Sequence, residues 1–323
     1  TALIVGYGAH LLLGLDLLLA LLLGVIIAPT DPVSVLATFR NANVDRDLST
    51  IVESESLFND GIAVVLYVIL LETLEGVELS LLQGVGDIAL VVGGGAVLGL
   101  GLGMLATRFL KRLDDHLIEV MITLVLVYGA YLLAEHLHLS GVIAVSISGL
   151  VVGNQGLVRT STYSRQSLTL FWEIVAFLVN SVAFLLIGFE LHITRLVDDL
   201  LPIIMIFAIL LFARAIVVYS LGARSRWRLG KRTDEPDQSD LPWRWLHVIF
   251  LGGLRGAVPV ALALGLPVSL TGRETLVTIV FGVVLFSLVG QGLSMPTLIQ
   301  RLGLARDEQI EGQSEQLPME EVT

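Results

Sequence analysis

The chain has 323 residues, 55% of them hydrophobic and only 15% charged, and no cysteine. A soluble domain carries roughly 25% charged residues, so this composition, with a mean hydropathy of +0.85, is that of a polytopic membrane protein. The missing thiols exclude disulfides, cysteine-ligated zinc, iron–sulfur clusters and thiol nucleophiles. A net charge of −11 argues against nucleic acid as a partner, which requires a basic face.

Taken in order, Thr1 to His10 reads as the end of a helix, and a chain opening on Thr rather than Met is expected to start inside a longer protein. No signal peptide is visible. The first full span is Leu17 to Phe39, interrupted at Pro29 to Pro32, and the second is Leu48 to Leu71. Further spans are expected at Ile88–Leu110, Leu117–Leu137, Val142–Val152, Leu168–Leu191, Leu201–Leu221, Trp245–Leu266 and Leu276–Leu298. Each approaches the ~20 residues that cross the hydrocarbon, except the fifth, which is short enough to lie among neighbours. Residues 1–306 form the transmembrane domain, and the acidic tail 307–323 is expected to be disordered.

Basic residues set the orientation. Of the 19 Lys and Arg, only Arg195 and Arg273 fall on one side, and Arg214 and Arg255 lie within spans; the rest share the other side. Under the positive-inside rule the C-terminus is cytoplasmic and Thr1 lies near the outer face. The run Arg224 to Arg232 reads as an inside loop near anionic lipid. Trp172, Trp243 and Trp245 fit an interfacial aromatic belt.

The informative residues interrupt the apolar runs. Ala28-Pro29-Thr30-Asp31-Pro32 breaks the first span, and Val52-Glu53-Ser54-Glu55-Ser56-Leu57-Phe58-Asn59-Asp60-Gly61 lies in the second. Asp60 is roughly 16–20 Å from either end of its span at 1.5 Å per residue, and Asp31 also falls inside its own. Arg255, in Gly252-Gly253-Leu254-Arg255-Gly256-Ala257-Val258-Pro259, is about 15 Å in from Trp245. Ionisable groups at that depth are costly against lipid, so they face one another or water and mark a functional site. The first and eighth spans are both broken and cross in opposite senses, the sequence trace of an inverted repeat with its binding site at the breaks.

Ser56 and Asp60 share one helix face, Glu55 and Asn59 the next. On this reading Asp60 carries the ion, with Asp31 beside it and Ser56 adding a neutral oxygen. Glu55 pairs with Arg255, a fixed countercharge, and the pair holds Asn59. Thr30 and Asp31 also fit a plain helix cap before proline. Glu53, about two turns cytoplasmic of Asp60, reads as an entrance or network residue. Asn180 and Ser181 either line a cavity or bond helix to helix, and Arg214 either pairs with Glu173 or reaches to the interface. Gly99-Leu100-Gly101-Leu102-Gly103 has no strand before it and fails as a nucleotide fingerprint; Gly95, Gly99 and Gly103 form a packing face instead. His136 and His138, beside Glu135, lack a third metal ligand and read as a solvated loop.

Thr30-Asp31-Pro32, the Glu53 to Gly61 run, Ser140-Gly141-Val142-Ile143-Ala144-Val145 and Gly253-Leu254-Arg255-Gly256-Ala257-Val258 resemble the monovalent cation:proton antiporter-1 family, the NhaP/NHE type of sodium/proton exchanger. The likeness extends to about Leu302. It implies an all-α polytopic membrane protein with an inverted-repeat antiporter fold and crossed broken helices, about nine full transmembrane helices of thirteen being present. The family's first three helices and most of the fourth would then lie outside this chain. It further implies a homodimer in the full-length protein, in the plasma membrane (the bacterial inner membrane), serving pH and sodium homeostasis.

By the resemblance Asp60 is the ion- and proton-binding acid, with Ser56, Asp31 and the backbone of Thr30 as further ligands, and Glu55 and Arg255 position Asn59. The Asn59-Asp60 pair goes with electroneutral exchange. Ser54 stands where the family often has Gly. No cofactor is implied, only the transported Na+ (or K+ or Li+) and H+, with membrane lipid around the chain. The expected activity is exchange by alternating access at one site holding either a cation or a proton, falling at low pH, and it is not an enzyme's. Two alternatives are a cation channel, for which no filter sequence is present, and an intramembrane acid/base enzyme, for which no nucleophile elbow or His-Glu-x-x-His helix is present.

Overall fold

The structure, a computed structural model, describes residues 1–74, 81–113, 115–156, 162–190, 193–229 and 242–305. These residues are helical throughout their regular parts. Six helices are long and apolar enough to cross a membrane. The tail expected at 307–323 lies outside the described residues.

The first broken span is α2 (Leu17–Ile27) and α3 (Val33–Asn41). Proline lacks the N–H that would extend the helical ladder, so α2 stops at Pro29 although Ala28 before it still has helical φ and ψ of −64° and −37°, and Pro32 restarts the chain as α3. The carboxylate of Asp31 then accepts the Val33 N–H at 2.9 Å and caps α3. The second broken span is α11 (Trp243–Leu251) and α12 (Ala257–Leu264), separated by Gly252 to Gly256. Pro259 lies in the first turn of α12, where a helix has unused N–H groups in any case.

Between them run α4 (Arg46–Leu74), α5 (Leu81–Leu110), α6 (His116–His136), the short α7 (Gly141–Val151), α8 (Thr162–Glu190), α9 (Ile193–Asp198) and α10 (Leu200–Leu229). The last span begins as α13 (Arg273–Phe286), passes through a π-turn at Ser287–Gly292 and ends as α14 (Leu293–Arg301). It is the most central of the long spans, with 56% of its most apolar window buried against 6% for Tyr163–Leu186 in α8.

Small residues set the close approaches. A Cβ on Gly95 would stand 2.7 Å from the Ser140 carbonyl, and one on Gly99 would overlap the Ala144 carbonyl. The glycine face of α5 thus carries α7, as small residues do between helices in a membrane. Gly24 likewise lets α2 cross α1 (Ala2–Leu13) beside Ala2 and Gly6. The crossing sets the start of α1 beside the last turns of α2.

Two apolar clusters enclose the breaks. One joins α1, α2, α10, α12 and α13 around Leu23, Ile26, Ile206, Val260 and Val280. The other joins α3, α11 and α14 around Val35, Phe39, Val248 and Ile299, with Leu48 and Val52 of α4. Polar groups lie between the clusters.

Candidate ion-binding site

The breaks meet through their backbones. The Asp31 N–H donates to the Leu254 carbonyl at 2.8 Å, and the fully buried Arg255 donates from Nη1 to the Pro29 carbonyl at 3.1 Å. The second break thus answers an N–H and a carbonyl that the first break left unpaired, with the Leu254 carbonyl and the Arg255 guanidinium. Only glycine fits at 256, because a Cβ there would overlap the Asp31 carboxylate.

Helix α4 lies against this junction. The buried hydroxyls of Thr30 and Ser56 are 2.9 Å apart and hydrogen-bonded, and Asn59 Nδ2 donates to Thr30 Oγ1 at 3.4 Å. Asp60 is near enough for its carboxylate to interact with the Thr30 backbone N–H and with the charges of Asp31 and Arg255. Its Oδ1 is buried without a hydrogen-bond partner among the described residues. A carboxylate oxygen left bare in an apolar interior is costly unless a proton or cation occupies it. Asp60, Asp31, Ser56 and Thr30 are thus four oxygen-bearing residues brought together at the junction.

Glu55 does not pair with Arg255. It accepts from Arg214 of α10 at 2.8 Å (Nη1 to Oε1) and 3.2 Å (Nη2 to Oε2). Arg214 also donates to the carbonyls of Phe250 (2.9 Å) and Ile249 (2.6 Å), in the last turn of α11. The planar guanidinium fork matches the carboxylate two-to-two while capping the negative end of α11. It reaches there because Gly253 has no side chain; a Cβ would overlap it. Arg255 instead keeps Nε and Nη2 buried without partners among the described residues.

Arg214 does not pair with Glu173, whose carboxylate is at the surface against Arg40 at 3.1 Å. Such an exposed pair is worth little. Glu53 is exposed and Asn180 half-buried, outside the cluster, while Ser181 donates to Phe177 on its own helix. His136 and His138 are exposed, and among the described residues no group of three or more His, Cys, Asp or Glu is placed to hold a metal. Two residues that sequence reasoning missed are Ser287, fully buried, and Gln291, 4% exposed, in the π-turn of the last span. Their signal was two polar side chains, four apart, inside an apolar run.

A cavity of about 480 Å³ reaches Glu55 and Asn59, with Thr1, Ile51, Val218, Leu221 and Leu246 among its walls. The cavity runs along α4 from Ile51 to Leu66 beside the cluster.

The family model described as "Sodium/hydrogen exchanger, transmembrane" matches residues 1–301. The chain belongs to the sodium/hydrogen exchanger family. It is 41% identical over 314 residues to the Na(+)/H(+) antiporter ApNhaP of Aphanothece halophytica, covering 94% of this chain and 57% of that one. It is 38% identical over 301 residues to the low-affinity Na(+)/H(+) antiporter NhaS1 of Synechocystis, covering 91% and 56%. The chain thus spans little more than half the length of these relatives. The structure of the sodium proton antiporter MjNhaP1 from Methanocaldococcus jannaschii at pH 8 superposes with a TM-score of 0.74 at 23% identity, covering 94% of this chain and 76% of that one. Exchanger fold and family are thereby established, and the all-helical expectation with them. Two helix breaks, linked by one backbone hydrogen bond and by the Arg255 side chain, are the feature around which this chain is built.

Proposed function

We propose that the full-length protein exchanges Na+, or another monovalent cation, for H+ by alternating access, with Asp60 as the carrier. The observation that carries this reading is the bare, buried Oδ1 of Asp60 beside Asp31 and the Thr30–Ser56 hydroxyl pair. A carboxylate there holds a proton or a cation but not both, and that competition is the coupling.

Charge supports one-for-one, electroneutral exchange. Glu55 and Arg214 neutralise each other, and Arg255 offsets one of the two aspartates, leaving a single negative charge for a single cation or proton. Asn59, being uncharged, adds nothing to that sum and orients Thr30. The cavity beside Glu55 and Asn59 is read as an access path to the site, and the side with most Lys and Arg, the C-terminus included, as cytoplasmic under the positive-inside rule. Residues 1–306 are read as the N-terminally incomplete exchanger domain and the broken spans as counterparts in an inverted repeat. The full-length protein is read as a homodimer in the plasma membrane, with no enzymatic step.

Sodium-driven pH change in everted vesicles carrying the full-length protein tests the assignment. Asp60→Asn should abolish it at wild-type protein levels. Retained exchange would remove Asp60 as carrier, and sodium flux without proton movement would make the protein a channel.

A further inference from the structure

A chain of hydrogen bonds runs to the first broken span from the buried π-turn of the last span. Ser287 donates its hydroxyl to Gln291 Oε1 at 2.7 Å. The same Ser287 Oγ accepts the backbone N–H of Arg255 at 3.0 Å. The peptide bond so gripped joins Leu254 to Arg255, and its carbonyl, on Leu254, accepts the Asp31 N–H at 2.8 Å. Asp31 in turn caps α3 through its carboxylate, which occupies the space that a side chain at Gly256 would fill.

We infer that Ser287 and Gln291 are positioning residues for cation binding: through the Leu254–Arg255 peptide they fix the height and tilt of Asp31 at the site. Three features support it. Ser287 is fully buried and Gln291 nearly so, and a polar pair in an apolar core is costly unless it satisfies something. Second, Arg255 follows two glycines and a leucine in a segment with no helical partner for its N–H, so Ser287 supplies the acceptor that the break lacks. Third, the pair sits in a π-turn, a local widening frequent at functional sites. Without it, residues 287 and 291 would continue an α-helix whose hydroxyl turns back on its own carbonyls.

The inference rests on Asp31 and Asp60 forming the site, so Asp60→Asn is measured alongside. The assay is the apparent KM for Na+ at fixed pH, from proton movement in everted vesicles with the full-length protein. Ser287→Ala should raise that KM about tenfold, because the Arg255 N–H and Gln291 Oε1 lose their partner inside the protein; Vmax at saturating Na+ should stay within about twofold. Ser287→Thr keeps the hydroxyl and should return KM towards the wild-type value. A purely packing role would lower the melting temperature of Ser287→Ala and leave KM alone, which overturns the inference. If Ser287→Ala does not accumulate, Gln291→Leu decides: a raised KM supports the relay, an unchanged one overturns it. Where Asp60→Asn abolishes exchange and KM is unmoved in the variants, the relay alone falls; where Asp60→Asn retains exchange, the site reading falls and the relay with it.

Discussion

Gly256→Ala is the sharpest probe of the crossed breaks. A Cβ at that position overlaps three atoms of the Asp31 side chain, Cβ, Cγ and Oδ2. That side chain cannot swing clear cheaply, since its backbone N–H is bound to Leu254 and its carboxylate to the Val33 N–H. Overpacking of this kind costs about 1–3 kcal/mol, and loss of the hydrogen bond to a charged carboxylate about 1.5–3 kcal/mol. Partial relief of one by the other leaves about 2–4 kcal/mol to be lost either from stability or from cation binding, and roughly 1.4 kcal/mol is tenfold in affinity. Where the cost falls on cation binding, the apparent KM for Na+ in everted vesicles should rise at least about tenfold; where it falls on stability, the melting temperature should drop instead. Gly93→Ala is the control, since nothing lies within 4 Å of its Cβ, and its KM and Vmax should match the wild type. A Gly256→Ala protein with wild-type KM, Vmax and melting temperature would refute the close packing of the two breaks.

Two more expectations follow from the same geometry. A double-mutant cycle on melting temperature should give a coupling of about 1–3 kcal/mol between Glu55 and Arg214, and a smaller one between Glu55 and Arg255; the reverse order would restore the pairing expected from sequence. Because proton and cation compete for one carboxylate, lowering the pH should raise the apparent KM for Na+, by up to about tenfold per pH unit, without changing Vmax. A Vmax that falls with constant KM would instead point to a titrating group away from the site.

Much of the site was legible because membrane depth is nearly linear in sequence. Asp31, Asp60 and Arg255 could each be placed near mid-span by counting 1.5 Å steps from the ends, and all three do meet at the junction of the breaks. The glycine face at Gly95, Gly99 and Gly103 was legible too, since its four-residue spacing names one side of a helix. Partner choice was not. Arg214 and Arg255 lie at comparable depths on different helices, and nothing local distinguishes which of them meets Glu55. Gly253 settles it by admitting the Arg214 guanidinium, and a bare glycine in a sequence does not say whose side chain fills its space. The Glu173–Arg40 pair escaped for the same reason, joining α8 to α3 across the fold.

The sequence by itself determined the medium, the helices, the two breaks and the depth of each charge, because each follows from short-range chemistry: hydropathy over a span, proline and glycine against the helix, and the cost of a carboxylate in hydrocarbon. Only the tertiary structure decided which donor answers which acceptor. The Arg255 N–H finds Ser287, the Asp31 N–H finds Leu254 and Glu55 finds Arg214 because hydrogen bonds are satisfied by whichever group packing brings within about 3 Å, and packing joins residues that the chain keeps far apart.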